Sequence, residues 1–170
     1  MALPGPFLAG QRLTAGQLND ATQKTLDEVQ VSTPGALQTT SGTTELNITS
    51  LQMNPIDLVA GGLYSFEPQL ILNNSVATDE FLFRVRRDTP VTGTLVGEMS
   101  IWRPNTTLGY SFVTYDDFTS SIDDPAVQFY CSLVRATGTG TCTIHGQFNT
   151  LSRTSMKITR IGYSSEFRVV

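Results

Sequence analysis

Past residue 36 the apolar positions of the chain recur mainly every second residue, which is the period of strands with one buried face. Phe81, Phe83 and Val85 alternate with Leu82, Arg84 and Arg86, and Met156 and Ile158 repeat the pattern near the end of the chain. Strands are predicted over 45–48, 62–72, 80–87, 93–102, 109–118, 127–135, 141–148 and 155–163. Turn chemistry separates them: Gly61-Gly62, Asn73-Asn74, Asp88-Thr89-Pro90, Arg103-Pro104-Asn105, Asp123-Asp124-Pro125 and Thr137-Gly138-Thr139-Gly140. Strands at this spacing, with no helical period after residue 30, predict an all-β sandwich or barrel. Eight to ten strands in roughly 130 residues suit a jelly roll.

The opening segment has a different period. Thr14 followed by Gln17 fits a capping box, and Leu13 against Leu18 fits a hydrophobic staple. Leu18, Ala21 or Thr22, Leu26 and Val29 then recur at near-helical spacing and predict a helix of about four turns. Its apolar stripe is thin, so such a helix needs a partner surface. Ser32-Thr33-Pro34-Gly35 closes the segment. The chain therefore divides into an extended segment and helix over 1–35, and a sandwich over 36–170.

Composition narrows the function classes. A chain of 170 residues suits one domain with its own core. Charged residues make up 15%, well below the usual quarter, and Ser, Thr, Asn and Gln fill the surface instead. A net charge of −4 lacks the basic field of a non-specific nucleic-acid binder. Arg84 and Arg86 share a strand face and are expected to be a solvated one. No apolar run approaches the roughly 18 residues of a membrane span. The start has no basic n-region, and Pro4 and Pro6 interrupt what would be an h-region, so it is expected to belong to the mature protein. Two cysteines are too few for a disulfide scaffold, which suggests folding in a reducing cytosol. Cys131 and Cys142 flank a predicted hairpin turn near Ala136-Thr137, and are expected on adjacent strands as reduced, mostly buried thiols.

Catalytic chemistry finds little support. His145 is the single histidine, nothing around it resembles a nucleophile elbow, and it is expected to be a half-exposed strand residue. Cys131, Cys142 and His145 give three zinc ligands at most, without paired spacing. Asp116-Asp117 and Asp123-Asp124 read as turn caps before calcium ligands. Phosphate-binding glycine motifs do not occur. The expectation is a protein without catalysis, cofactor or metal. Most of the aromatic residues must fill the sandwich, but in Phe129-Tyr130 one of the two faces outward, as subunit interfaces use. Trp102, Tyr110 and Tyr115 are candidates for such an interface or for a sugar-binding platform.

Two regions resemble known families. Phe7-Leu8-Ala9-Gly10-Gln11-Arg12-Leu13-Thr14-Ala15-Gly16-Gln17-Leu18-Asn19 resembles the opening of virion proteins from actinobacterial tailed phages. Gly61-Gly62-Leu63-Tyr64-Ser65-Phe66-Glu67, Phe83-Arg84-Val85-Arg86-Arg87-Asp88, Gly93-Thr94-Leu95-Val96-Gly97-Glu98 and Ser155-Met156-Lys157-Ile158-Thr159-Arg160-Ile161-Gly162 are similar to C1q/TNF-like jelly rolls of phage fibres and spikes. The resemblance implies a homotrimer with its termini near one base, docked on phage capsid or tail proteins at the exterior of a virion assembled in the host cytoplasm. Pro4, Pro6, Phe7, Leu8, Leu13, Leu18 and Leu26 would then supply the apolar contact of the anchor. A host surface glycan is the alternative partner; nucleic acid and membrane are not expected. The chain departs from the jelly-roll pattern by continuing through 163–170.

Overall fold

The computed structural model describes residues 24–102, 110–113, 116–147 and 153–163. Among them run thirteen strands: β1 (Lys24–Gln30), β2 (Ala36–Thr40), β3 (Leu46–Asn47), β4 (Ile56–Leu58), β5 (Gly62–Asn74), β6 (Glu80–Arg87), β7 (Thr94–Trp102), β8 (Tyr110–Val113), β9 (Asp116–Thr119), β10 (Asp124–Val127), β11 (Phe129–Arg135), β12 (Cys142–His145) and β13 (Ser155–Tyr163). A 3-10 turn lies at Thr49–Leu51. No helix among the described residues is long and apolar enough to cross a membrane.

The strands form a seven-stranded sheet, a four-stranded sheet ordered β3-β11-β6-β7, and a β4–β10 pair. Among the described strands, only β6 and β7 are neighbours both in sequence and in a sheet, and every other pairing joins non-consecutive strands. That connectivity belongs to Greek-key sandwiches and not to up-and-down meanders. The spine is β5. Its first half lies between β13 and β9, and its second half between β12 and β8. Where β12 gives way to β13 along one edge, Thr154 splices the ladder. Its hydroxyl accepts the Ile71 N–H at 3.0 Å and donates to the His145 carbonyl at 2.6 Å. On the other edge the pairing changes from β9 to β8 across Glu67 and Pro68. A proline in a central strand is tolerated at such a break, where a missing donor costs least.

One core lies between the two larger sheets. Tyr64, Phe66, Leu70 and Leu72 of β5 meet Phe81, Phe83 and Val85 of β6 and Phe129, Cys131 and Leu133 of β11, all at most 1% exposed. The Phe66 ring stands edge-on to Phe129 at 5.2 Å and stacks on Phe118 at 5.3 Å. Burying each such ring contributes roughly 1.5–3 kcal/mol. The buried Tyr64 hydroxyl is satisfied by the Val59 N–H at 2.7 Å.

Three expectations are corrected. The helix predicted to run through Val29 is replaced over Lys24–Gln30 by strand β1, which pairs antiparallel with β13. A bulge between Thr25 and Asp27 makes Leu26 an extra residue. Leu26 and Val29 therefore both pack against the core despite a spacing of three, which imitates a helical stripe. Second, β11 and β12 belong to different sheets, so Cys131 and Cys142 are not on adjacent strands, and the turn between them crosses from sheet to sheet. Both are buried, as expected. Third, the strand predicted over 109–118 is two strands, β8 and β9, on one edge of β5.

Candidate functional site

The sandwich has two chemically distinct ends. At one, which we call the base, Lys24 of β1 stands opposite Arg160 of β13, and Gly62 of β5 opposite Tyr163. The chain enters and leaves the described fold there side by side. The distal end is where β5 finishes at Asn74 and, after a short loop, β6 begins at Glu80.

Of the residues expected to anchor the chain, Pro4, Pro6, Phe7, Leu8, Leu13 and Leu18 lie outside the described residues. Leu26 is half-buried against the core of its own sandwich, so that side chain is largely committed to the fold. Among the candidate platform aromatics, the backbone of Trp102 is opposite Glu80, and that of Tyr110 opposite Leu72. Both therefore sit at the distal end, away from Lys24 and Arg160. Tyr115 lies outside the described residues. Phe129 is fully buried, and its neighbour Tyr130 is half-buried on the opposite face.

The distal end is closed by a polar clasp that the sequence did not single out. The Asp79 carboxylate, 2% exposed, accepts the Gly140 N–H. Gly138 has φ +92°, and a Cβ there would approach Asp79 Oδ1 to 1.9 Å. Glycine is required on both counts. Arg135 at the end of β11 donates from Nη1 to the Ser41 carbonyl at 2.6 Å and the Gly140 carbonyl at 2.8 Å. Asp79 and Arg135 thus hold the N–H and the carbonyl of Gly140, in the two peptides that flank its Cα, fixing the crossover from the four-stranded to the seven-stranded sheet. An Asp just before a predicted strand, with Gly138-Thr139-Gly140 elsewhere, was the available signal.

The outer face of the four-stranded sheet carries an ionic network centred on Glu45. Glu45 accepts from Arg84 Nη1 at 2.8 Å, Arg86 Nε at 2.7 Å, Arg86 Nη2 at 2.9 Å and the Ser132 hydroxyl. Arg84 also reaches Glu98 at 2.6 Å, and Arg86 donates to the Gly93 carbonyl at 2.8 Å. The solvated arginine face expected from alternation is instead paired: the Arg86 and Glu45 side chains are only 15% and 11% exposed. Burial alone would raise the Glu45 carboxyl. The bonds from Arg86, Ser132 and Arg84 outweigh it and hold the group down at about 2.

Of the remaining titratable groups, the carboxylates beside the β4–β10 pair are held by local donors. Burial lowers the half-buried His145 below its ordinary value. Asp123 Oδ1 accepts the Ala60 N–H at 2.8 Å, Asp124 pairs with Arg87, and Asp57 Oδ1 accepts the Ala126 N–H at 2.9 Å. These three carboxylates line a shallow cleft of about 370 Å³ between β4 and β10, each already holding a protein donor. Asp116 and Asp117 pair in backbone with Phe66 and Ser65 in β9. Among the described residues no three His, Cys, Asp or Glu side chains converge as a metal site.

No family model matches the chain, and no curated protein matches it. Solved structures similar to it include that of infectious bursal disease virus, Gt strain, at 15% identity and TM-score 0.43, over 84% of this chain and 38% of that one. The chain thus spans little more than a third of that viral protein. The TNF protein Eiger from S. frugiperda is similar at 8% identity and TM-score 0.38, over 88% of this chain and 98% of that one. An arabinose-bound α-L-arabinofuranosidase is similar at 13% identity and TM-score 0.36, over 85% of this chain and 24% of that one. All three scores lie below 0.5, and it is the strand pairings above that define this fold.

Proposed function

We propose that the chain is a structural, non-catalytic protein of a bacteriophage virion, a homotrimeric capsid decoration, short spike or minor tail component docked through its N-terminal residues. The observation that carries this is the pairing of β1 with β13, which sets Lys24 beside Arg160 at the base. Residues preceding Lys24 then reach a platform from the same end at which β13 finishes, and the distal end projects away from it. The phage-like motif over 7–19 supplies the docking contact, with apolar burial contributing roughly 25 cal/mol per Å² before ordering costs. Three linked copies raise the effective concentration at the platform, so each anchor needs only weak affinity. The trimer itself rests on the jelly-roll resemblance.

The test is a phage carrying a deletion of residues 1–23. That boundary retains β1, whereas a longer deletion would strip the edge of β13 and expose Met156 and Ile158. The truncated protein is expected to fold with a strand-dominated circular dichroism spectrum and to keep the oligomeric state of the full chain, yet to be missing from purified particles. Normal occupancy in particles would refute docking through the N-terminus.

The distal placement of the Trp102 and Tyr110 backbones favours a second reading, in which that end contacts a host surface glycan. Binding to a bacterial glycan array that Trp102→Ala removes supports it, and a flat response of the intact chain refutes it.

A further inference from the structure

We infer that the distal end of the sandwich encloses a built internal water site, with one or two waters hydrogen-bonded to Asn74, Thr40 and Arg135. Cys142 on β12 stands opposite Thr40 on β2 and Asn74 on β5, so the three form one row across three strands. Opposed residues share a face of the sheet, and Cys142 belongs to the core, so the row points inward. Thr40 is 1% exposed and Asn74 fully buried. Yet Thr40 Oγ1 and both Asn74 Oδ1 and Nδ2 have no protein partner. Arg135 reaches the row from the facing sheet. Its Nη1 binds the carbonyl of Ser41, next to Thr40, and that of Gly140, two residues before Cys142. Arg135 Nε is likewise buried without a protein partner.

Four orphan polar atoms at one end of a core are not a tolerable resting state, because a buried amide without partners loses its hydration and gains nothing for it. Three occupants could satisfy them. A direct bond is not made: none of the four atoms has a protein partner, and Thr40 and Asn74 are two strands apart, about 10 Å between backbones, with Cys142 between them. An anion would suit the Arg135 Nε–H, the Asn74 NH₂ and the Thr40 hydroxyl. It would leave Asn74 Oδ1 unsatisfied, and it would share this end of the core with the buried Asp79 carboxylate. Water both donates and accepts, so it alone serves Oδ1 and the three donors together. Which way the Asn74 amide is oriented does not alter this, since both of its ends are orphaned.

The deciding measurement is diffraction from crystals of the full chain at about 1.5 Å, grown with bromide replacing chloride. The expected result is ordered density without anomalous signal, within hydrogen-bond distance of the Asn74 amide and of Thr40 Oγ1 or Arg135 Nε. An anomalous bromide peak there, an Asn74 amide bonded directly to protein groups, or no density beside it would each overturn the proposal. In solution, oxygen-17 relaxation dispersion of water should show long-lived internal water in the native protein, and a loss of signal in the Thr40→Val, Asn74→Leu double variant. An unchanged signal in the folded double variant refutes this location. Should that variant not fold, the diffraction result stands by itself.

Discussion

Replacing Glu45 by Gln tests whether the ionic network on the four-stranded sheet holds the short strand β3 in place. Glu45 precedes that two-residue strand, whose ladder partners are only Ser132 and Leu133 of β11. The carboxyl falls from 4.5 to about 2 on folding. At 1.36 kcal/mol per unit this corresponds to roughly 3 kcal/mol, and solvent at the rim of the cluster screens it to about 1–2 kcal/mol. Because the folded value is depressed, the contribution is complete above the unfolded value of 4.5 and disappears as pH falls through about 2. Urea unfolding at fixed protein concentration should therefore place Glu45→Gln about 1–2 kcal/mol below the native chain at pH 7, or about 3–6 °C lower in Tm. The two proteins should converge as pH approaches 2. Equal stabilities at pH 7, or a gap that stays constant from pH 5 to 2, would refute the assignment of the network to Glu45.

Two further substitutions probe the seams of the fold. Gly138→Ala puts a Cβ into the Asp79 carboxylate at a φ of +92°, and is expected to lower stability by more than about 2 kcal/mol in urea unfolding. Thr154→Val keeps the side-chain shape but orphans the buried Ile71 N–H and the His145 carbonyl, which should cost about 1–3 kcal/mol by the same measurement, whereas Thr154→Ser should retain most of the native stability.

Strands with strong alternation were legible from the sequence. The predicted bounds 80–87 and 155–163 coincide with β6 and β13, and β5 and β7 were found to within two residues. The failures share a physical cause, which is pairing that local pattern does not encode. In β1 the bulge puts Leu26 and Val29 on the core side at helical spacing, so an edge strand looks like an amphipathic helix. Only three residues long, β4 alternates buried Ile56, exposed Asp57 and buried Leu58, too short a window to establish a period. β2 has one large apolar side chain, Leu37, and gains its place from the β12 ladder. Alternation correctly placed Arg84 and Arg86 on one face, but their acceptor is 39 and 41 residues away at Glu45, joined only when β3 docks on β11. The clasp at Asp79 similarly joins residues 61 apart. Of the candidate aromatics, the sequence could not say that Trp102 and Tyr110 share an end, because that follows from pairings with Glu80 and Leu72.

The way β5 is flanked also constrains how the protein can be made. Its hydrogen-bonding edges are filled by residues 110–119 on one side and 142–163 on the other, so at the ribosome a thirteen-residue strand carrying Leu63, Phe66, Leu70, Ile71 and Leu72 stays unzipped until residue 163 has emerged. At roughly 5–20 residues per second, that wait is about 5–20 s. During it, Pro68 is the one position in the strand that cannot donate to a foreign ladder. Conditions that slow elongation, or truncations upstream of β13, should accordingly deliver this chain to inclusion bodies rather than leave it partly folded in solution.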